Sequence, residues 1–137
     1  MPAHCPARPL HRLLIVIPAL FGLVTILAAL AVLLGIRTPA HAVFRPLLLF
    51  NGVMGLAYLG TALALRRNPP LGRWLADGVA LANLGMLGFI FLLQQGGHPV
   101  ATESLRAMVF RSAVWLGIAV GAWHLVRTSR PATTQGA

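Results

Sequence analysis

The sequence predicts an all-α polytopic membrane protein, a four-transmembrane-helix bundle that forms a single domain over residues 1–137 with both termini in the cytoplasm. Its side chains are 58% hydrophobic and 9% charged. A hydrocarbon layer of ~30 Å requires ~20 helical residues to cross it. Four apolar runs of 24, 20, 22 and 20 residues reach that length: Leu13–Ile36, Pro46–Leu65, Trp74–Gln95 and Ala107–Val126. Because lipid offers no partners to backbone polar groups, such runs are predicted to be helices.

The first run has two interpretations. Arg8 and Arg12 precede it, and Ala40-His41-Ala42 follows it in an A-x-A pattern, so a cleaved signal peptide is one alternative. The run is longer than the ~7–15 residues of a secretory core, and three further runs follow. We therefore expect an uncleaved first helix.

Helix-breaking residues separate the later runs. Arg66-Arg67-Asn68-Pro69-Pro70 is predicted to end the second helix in a charged turn, because proline lacks the amide that continues a helix. Gly96-Gly97-His98-Pro99 is predicted to end the third helix. Thr102-Glu103-Ser104 then supplies a capping hydroxyl and an acid for the start of the fourth.

The arginines predict the orientation. The chain has 11 arginines, no lysine, two acids and a net charge of +9. With the N-terminus inside, seven arginines lie in tails 1–12 and 127–137 or the inner turn, and three lie in the outer segments. The membrane accounts for this charge, and nucleic-acid binding is not expected. The arginine-only, leucine- and alanine-rich composition favours the cytoplasmic (inner) membrane of a bacterium.

Small residues predict where helices meet, because lipid gives no hydrophobic drive for helix pairing. Ala113, Gly117 and Gly121 follow a four-residue spacing in the fourth helix. We expect this face to pack within the chain, with a homodimer face as the alternative.

An outer polar pocket is predicted around Arg111, since a charged side chain within a span is costly and points to function. Asn51 is expected at a similar depth on the second helix. The other candidates for this pocket are Arg45, Gln94 and Glu103. An anion, a quinone carbonyl or a lipid headgroup would suit such a pocket. The alternative is a purely structural contact of Arg111 with Glu103 or Gln94.

Asp77 and His124 form a second candidate site. Each lies ~12 Å from the midpoint of its run, towards the cytoplasm, so the two are expected at one depth. An acid and an imidazole there suit proton relay. The alternative is structural: Asp77 neutralised by Arg73 one turn earlier, and His124 at the interface near Arg127.

Catalysis and cofactors are not expected. Asp77 and Glu103 are predicted on opposite sides of the membrane, which excludes a paired-carboxylate mechanism. The single cysteine, Cys5, excludes a CxxC site, and no metal or cofactor is expected. The chain resembles small multidrug exporters in length and span count, but Leu13–Ile36 lacks the glutamate on which those exporters depend.

Two functions follow from these observations. The first is a non-catalytic membrane subunit or scaffold whose partners are the lipid bilayer, other membrane proteins or a second copy. The alternative is a small carrier or ligand-binding protein that uses the pocket of Arg111 and Asn51.

Overall fold

A computed structural model describes residues 7–36, 45–98 and 102–128 of the chain. They form four α-helices: α1 (Ala7–Leu33), α2 (Arg45–Arg67), α3 (Pro69–Gln95) and α4 (Thr102–Thr128). Each helix is long and apolar enough to cross a membrane. The predicted all-α architecture is confirmed, and each of the four predicted apolar runs corresponds to a helix of sufficient length to span a membrane. Ala40-His41-Ala42 lies outside the described residues.

The helix boundaries follow from local chemistry. Asn68 alone separates α2 from α3, and its Oδ1 accepts a hydrogen bond from the amide of Leu71 at 3.3 Å. Pro69 and Pro70 occupy the first turn of α3, where an amide has no helical partner to lose. At the other end of α3, Gly97 adopts a φ of 78°, a left-handed conformation that glycine tolerates best.

Consecutive helices run antiparallel. The Nε2 atom of His11, near the start of α1, lies 3.1 Å from the carbonyl oxygen of Leu65, near the end of α2. Farther along, Gly22 of α1 lies against Gly55 of α2. In the same way α2 packs on α3 and α3 packs on α4, and α4 closes the ring through a looser seam with α1. We call the end where α2 turns into α3 the α2–α3 end.

The bundle has an apolar exterior and a partly polar interior. Large apolar side chains such as Leu20, Leu81 and Val120 are exposed on its outer surface. Tyr58 and Asn83 are fully buried at its centre. This distribution suits a bundle surrounded by hydrocarbon, where polar side chains hold helices together from within.

Close helix packing depends on Gly22 and Gly55. A Cβ atom added to Gly22 would stand 2.8 Å from the carbonyl oxygen of Gly55, and one added to Gly55 would stand 2.7 Å from Cγ1 of Ile26. Real Cβ atoms do not approach other heavy atoms so closely, so glycine at these positions lets α1 and α2 come this near.

We predict that Gly22→Ala destabilises the protein by about 1–3 kcal/mol, because α1 must move away from α2 to make room for the methyl group. The free energy of unfolding in mixed micelles measures this effect. The matched control is Gly60→Ala, since a Cβ there meets no atom within 4 Å. Equal stability of the two variants would contradict the predicted contact.

Candidate functional site

A fixed positive charge lies within the bundle at Arg111 of α4. Its side chain is partly buried, and its Nη1 donates a hydrogen bond to Oδ1 of Asn51 on α2. Within residues 7–36, 45–98 and 102–128, Arg111 has no carboxylate partner. Because arginine cannot lose its proton under ordinary conditions, the charge remains wherever the side chain lies.

Tyr58 and Asn83 extend this polar region to α3. The Tyr58 hydroxyl donates to Oδ1 of Asn83 at 2.9 Å, and Nδ2 of Asn83 donates to the carbonyl oxygen of Val79 at 3.0 Å. Tyr58 lies two turns along α2 from Asn51, the partner of Arg111, so the two hydrogen-bonded pairs share that helix. Three helices thus contribute to one polar region, in which the Asn83 side chain joins α3 to α2.

Aromatic rings fix the position of Tyr58. Its ring centroid lies 4.5 Å from that of Trp115 and 6.4 Å from that of Phe21. Phe21 in turn lies 6.1 Å from Phe110, which precedes Arg111 in α4. The aromatic contacts connect α1, α2 and α4 beside the guanidinium and limit the movement of the groups around it.

A cleft of about 310 Å³ between α1 and α4 leads to Arg111. Its lining is otherwise free of charged side chains and consists of Leu20, Phe21, Val24, Thr25, Ala107, Phe110 and Arg111. Leu20, Val24 and Phe110 are also exposed on the outer surface, so the cleft opens sideways from the bundle. One cation in an apolar cleft is an environment for a ligand with a negative head and an apolar body.

Two further residues of the predicted outer pocket, Gln94 and Glu103, do not line this cleft. Gln94 is exposed near the end of α3, and Glu103 is exposed in the first turn of α4, eight residues before Arg111. That separation is ~12 Å along the helix. Arg45 begins α2, and its side chain is outside the described part of the chain. Of the predicted group, the structure brings together Arg111 and Asn51.

Asp77 and His124 line one further cavity, of about 330 Å³, between α3 and α4. Oδ2 of Asp77 lies 3.7 Å from Nε of Arg73, the pairing that the structural alternative anticipated. His124 is exposed. Among the described residues, no three histidine, cysteine or acidic side chains lie close enough together to hold a metal ion.

The expected packing face of α4 requires a correction. Gly121 packs on Leu14 of α1, where an added Cβ would stand 2.9 Å from Cδ2 of that leucine. Ala113 and Gly117, however, are exposed, and a Cβ at Gly117 would meet no atom within 4 Å. A four-residue step advances ~40° around a helix, so Ala113 and Gly121 point ~80° apart, and Gly121 is the one of the three that contacts α1. Trp115, which is fully buried, marks the inward side of α4.

Tyr58 was not identified as a site residue from the sequence, although its spacing supplied a signal. Asn51, Gly55, Tyr58 and Ala62 recur at three- and four-residue steps, and such residues share a helix face. Gly55, Tyr58 and Ala62 are buried in the structure. A tyrosine on the same face as an asparagine within a span is therefore a candidate for the polar interior.

We predict that Tyr58→Phe lowers the free energy of unfolding by about 1 kcal/mol, because Asn83 loses its interhelical hydrogen-bond donor in an apolar interior. Unfolding in mixed micelles measures the loss. In an Asn83→Leu background, Tyr58→Phe should lower the free energy of unfolding by less, because the amide that the tyrosine hydroxyl bonds is already absent. Additive losses in the double variant would contradict a direct bond between the two side chains.

Comparisons with known proteins assign no family to the chain. No protein-family model, curated protein or solved structure matches it. The polar region of Arg111, Asn51, Tyr58 and Asn83 and the cavity beside His124 are therefore the features from which a function is inferred.

Proposed function

We propose that the chain is a protein of the bacterial cytoplasmic membrane whose four helices span the bilayer with both termini inside. The arginine distribution supports this orientation, because segments that remain in the cytoplasm are enriched in positive charge. At the α2–α3 end, the described exposed arginines are Arg12, Arg66, Arg67 and Arg127. Arg106 is the exposed arginine among the described residues at the opposite end.

The orientation predicts which introduced thiols a membrane-impermeant maleimide reaches in intact cells. In a Cys5→Ser background, His98→Cys should be labelled from outside, whereas Thr128→Cys should be labelled after lysis alone. His98 follows α3 and Thr128 ends α4, so one span separates them. Labelling of position 128 in intact cells would overturn the proposed orientation.

We further propose that the cleft between α1 and α4 binds an amphipathic anion, such as a long-chain carboxylate. The observation that supports this function is that Arg111 lines an apolar cleft without a carboxylate partner among the described residues. Attraction between opposite charges strengthens as the surroundings become less polar. An anionic head beside Arg111 would therefore be held more firmly than at a surface exposed to water.

The neighbours of Arg111 support binding of a head with two oxygen atoms. Asn51 accepts one guanidinium hydrogen bond and holds the side chain from the α2 side. A guanidinium carries five N–H donors in a planar fork, so further donors are available for the two oxygens of a carboxylate. The apolar side chains of Leu20, Val24 and Phe110 would contact the hydrocarbon body of the ligand.

Binding is proposed rather than catalysis. Arg111 and Thr25 are the polar side chains in the described lining of the cleft, and this lining contains no carboxylate, imidazole or thiol. General acid–base or covalent catalysis requires a group that can donate, accept or attack near the ligand. A guanidinium stays protonated in proteins, so it binds and orients an anion without exchanging protons with it.

We predict that Arg111→Leu weakens binding of a long-chain fatty acid at least about tenfold, because a charge-assisted hydrogen bond is lost. A fatty acid with a photoactivatable diazirine in its chain is the probe, and mass spectrometry locates the labelled peptides. Labels are expected on the segments that contain Val24 and Phe110. The methyl ester of the same acid should label weakly in every variant.

Arg106→Leu is the matched control, since Arg106 is an exposed arginine on the same helix. Its labelling by the fatty acid should remain near that of the unmodified protein. Leucine is well accepted within a span, so loss of membrane insertion is not expected for Arg111→Leu. Equal labelling of the two variants, or of acid and ester, would contradict an anion site at Arg111.

A non-catalytic subunit or scaffold is the second candidate. The observation that favours it is the small residues on outer helix surfaces: Gly78 and Gly85 of α3 and Ala113 and Gly117 of α4 are all exposed. Small residues allow close approach of another helix, either from a second copy or from a different membrane protein. This role does not require the charge of Arg111, so Arg111→Leu should leave assembly intact.

A further inference from the structure

The arginine–tryptophan cluster, formed by Arg73, Trp123 and Arg127, lies where α3 begins and α4 ends. The Cζ atom of Arg127 lies 3.8 Å from the centroid of the Trp123 ring, and that of Arg73 lies 4.8 Å from it. Arg73 also lies 4.8 Å from the centroid of Trp74. Arginine and tryptophan at a span end are typical of the membrane–water interface.

The two arginines of this cluster differ in charge balance. Arg73 lies 3.7 Å from the carboxylate of Asp77, which offsets part of its charge within the chain. Arg127 is exposed and, among the described residues, has no carboxylate partner. Its described neighbour is an indole face, which positions a guanidinium without consuming its N–H donors. Arg127 therefore retains both its charge and its donors for an anion.

The adjoining cavity has a polar and an apolar part in a definite order. Its lining residues are Asp77, Ala119, Val120, Trp123, His124 and Arg127. Arg127 and Ala119 are eight residues apart, a rise of ~12 Å along α4. The cavity thus passes from a cation at the helix end to apolar side chains deeper in the span, and Val120 is 69% exposed to the bundle exterior.

We propose that this cavity binds an anionic phospholipid, with its phosphate at Arg127 and the start of its acyl chain along Val120 and Ala119. A lipid has its charged headgroup at the membrane surface and its acyl chains deeper. The cavity likewise has its cation at the helix end and its apolar side chains deeper. Basic cavities between helices at the membrane surface are suited to lipid headgroups. The site is separate from the Arg111 cleft, and its binding does not depend on the function proposed there.

The surrounding charges favour a lipid with a single negative charge. The described charged side chains at the α2–α3 end are five arginines and one carboxylate: Arg12, Arg66, Arg67, Arg73, Arg127 and Asp77. Their net positive charge attracts anions. Asp77 nevertheless lines the same cavity as Arg127 and would repel additional negative charge. The headgroup of phosphatidylglycerol carries one negative charge on its phosphodiester. The arginines attract that charge, and there is no second charge for Asp77 to repel.

The test is native mass spectrometry of the full chain, delipidated in a neutral detergent and titrated with phosphatidylglycerol or phosphatidylcholine. The unmodified protein should retain phosphatidylglycerol in preference to phosphatidylcholine. Arg127→Gln should weaken retention of phosphatidylglycerol about fivefold, because one interfacial cation is removed. Asp77→Asn should strengthen it, because a negative charge is removed from the cavity.

Arg67→Gln is the matched control, since Arg67 is an exposed arginine at the same end and does not line the cavity. It should weaken retention less than Arg127→Gln does, and an equal loss would indicate diffuse attraction and overturn the proposed site. Weaker retention in Asp77→Asn would indicate a cationic ligand and would also overturn it. Full competition by inorganic phosphate would assign the site to free phosphate instead of a lipid.

Discussion

The structure depends on how an apolar bundle accommodates the permanent charge of Arg111. A guanidinium cannot become neutral to enter hydrocarbon, so the bundle must provide polar partners or access to an anion. Oδ1 of Asn51 accepts one hydrogen bond from the guanidinium, and Tyr58 on the same helix donates one to Asn83 of α3. Polar side chains of α2, α3 and α4 thus connect the three helices by hydrogen bonds. Such bonds matter in lipid, because hydrocarbon gives helices no hydrophobic drive to associate.

The unequal packing of the helices explains why the cleft lies beside α1. Gly22 and Gly55 bring α1 and α2 into close backbone contact, whereas the seam between α1 and α4 is looser. Gly121 closes that seam near the start of α1 by accepting Leu14. Farther along α1 a cleft lies between the two helices, and Arg111 lines it.

The sequence predicted four helices of spanning length well, because the length of an apolar run is set by hydrocarbon thickness. Matched depth led to the pairing of Asn51 with Arg111, which the structure brings within hydrogen-bond reach. The direction in which each helix face points was harder to predict, because a four-residue spacing drifts around the helix. Ala113 and Gly117 face outward in the structure. The sequence interpretation also placed helix starts too late, because a polar first turn, such as the one that begins at Thr102, extends a helix beyond its apolar run.

The central claim is that Arg111 remains inside the bundle, bonded to Asn51, when the protein is in a bilayer. Solid-state NMR of the full chain in lipid bilayers tests this through dipolar recoupling between the guanidinium ¹⁵Nη atoms and the side-chain ¹³Cγ of asparagine, with Arg111→Leu identifying the signal. The account predicts a cross-peak at hydrogen-bonding distance that disappears in the variant. A spectrum that lacks this contact, with the guanidinium instead close to the water at the membrane surface, would contradict it.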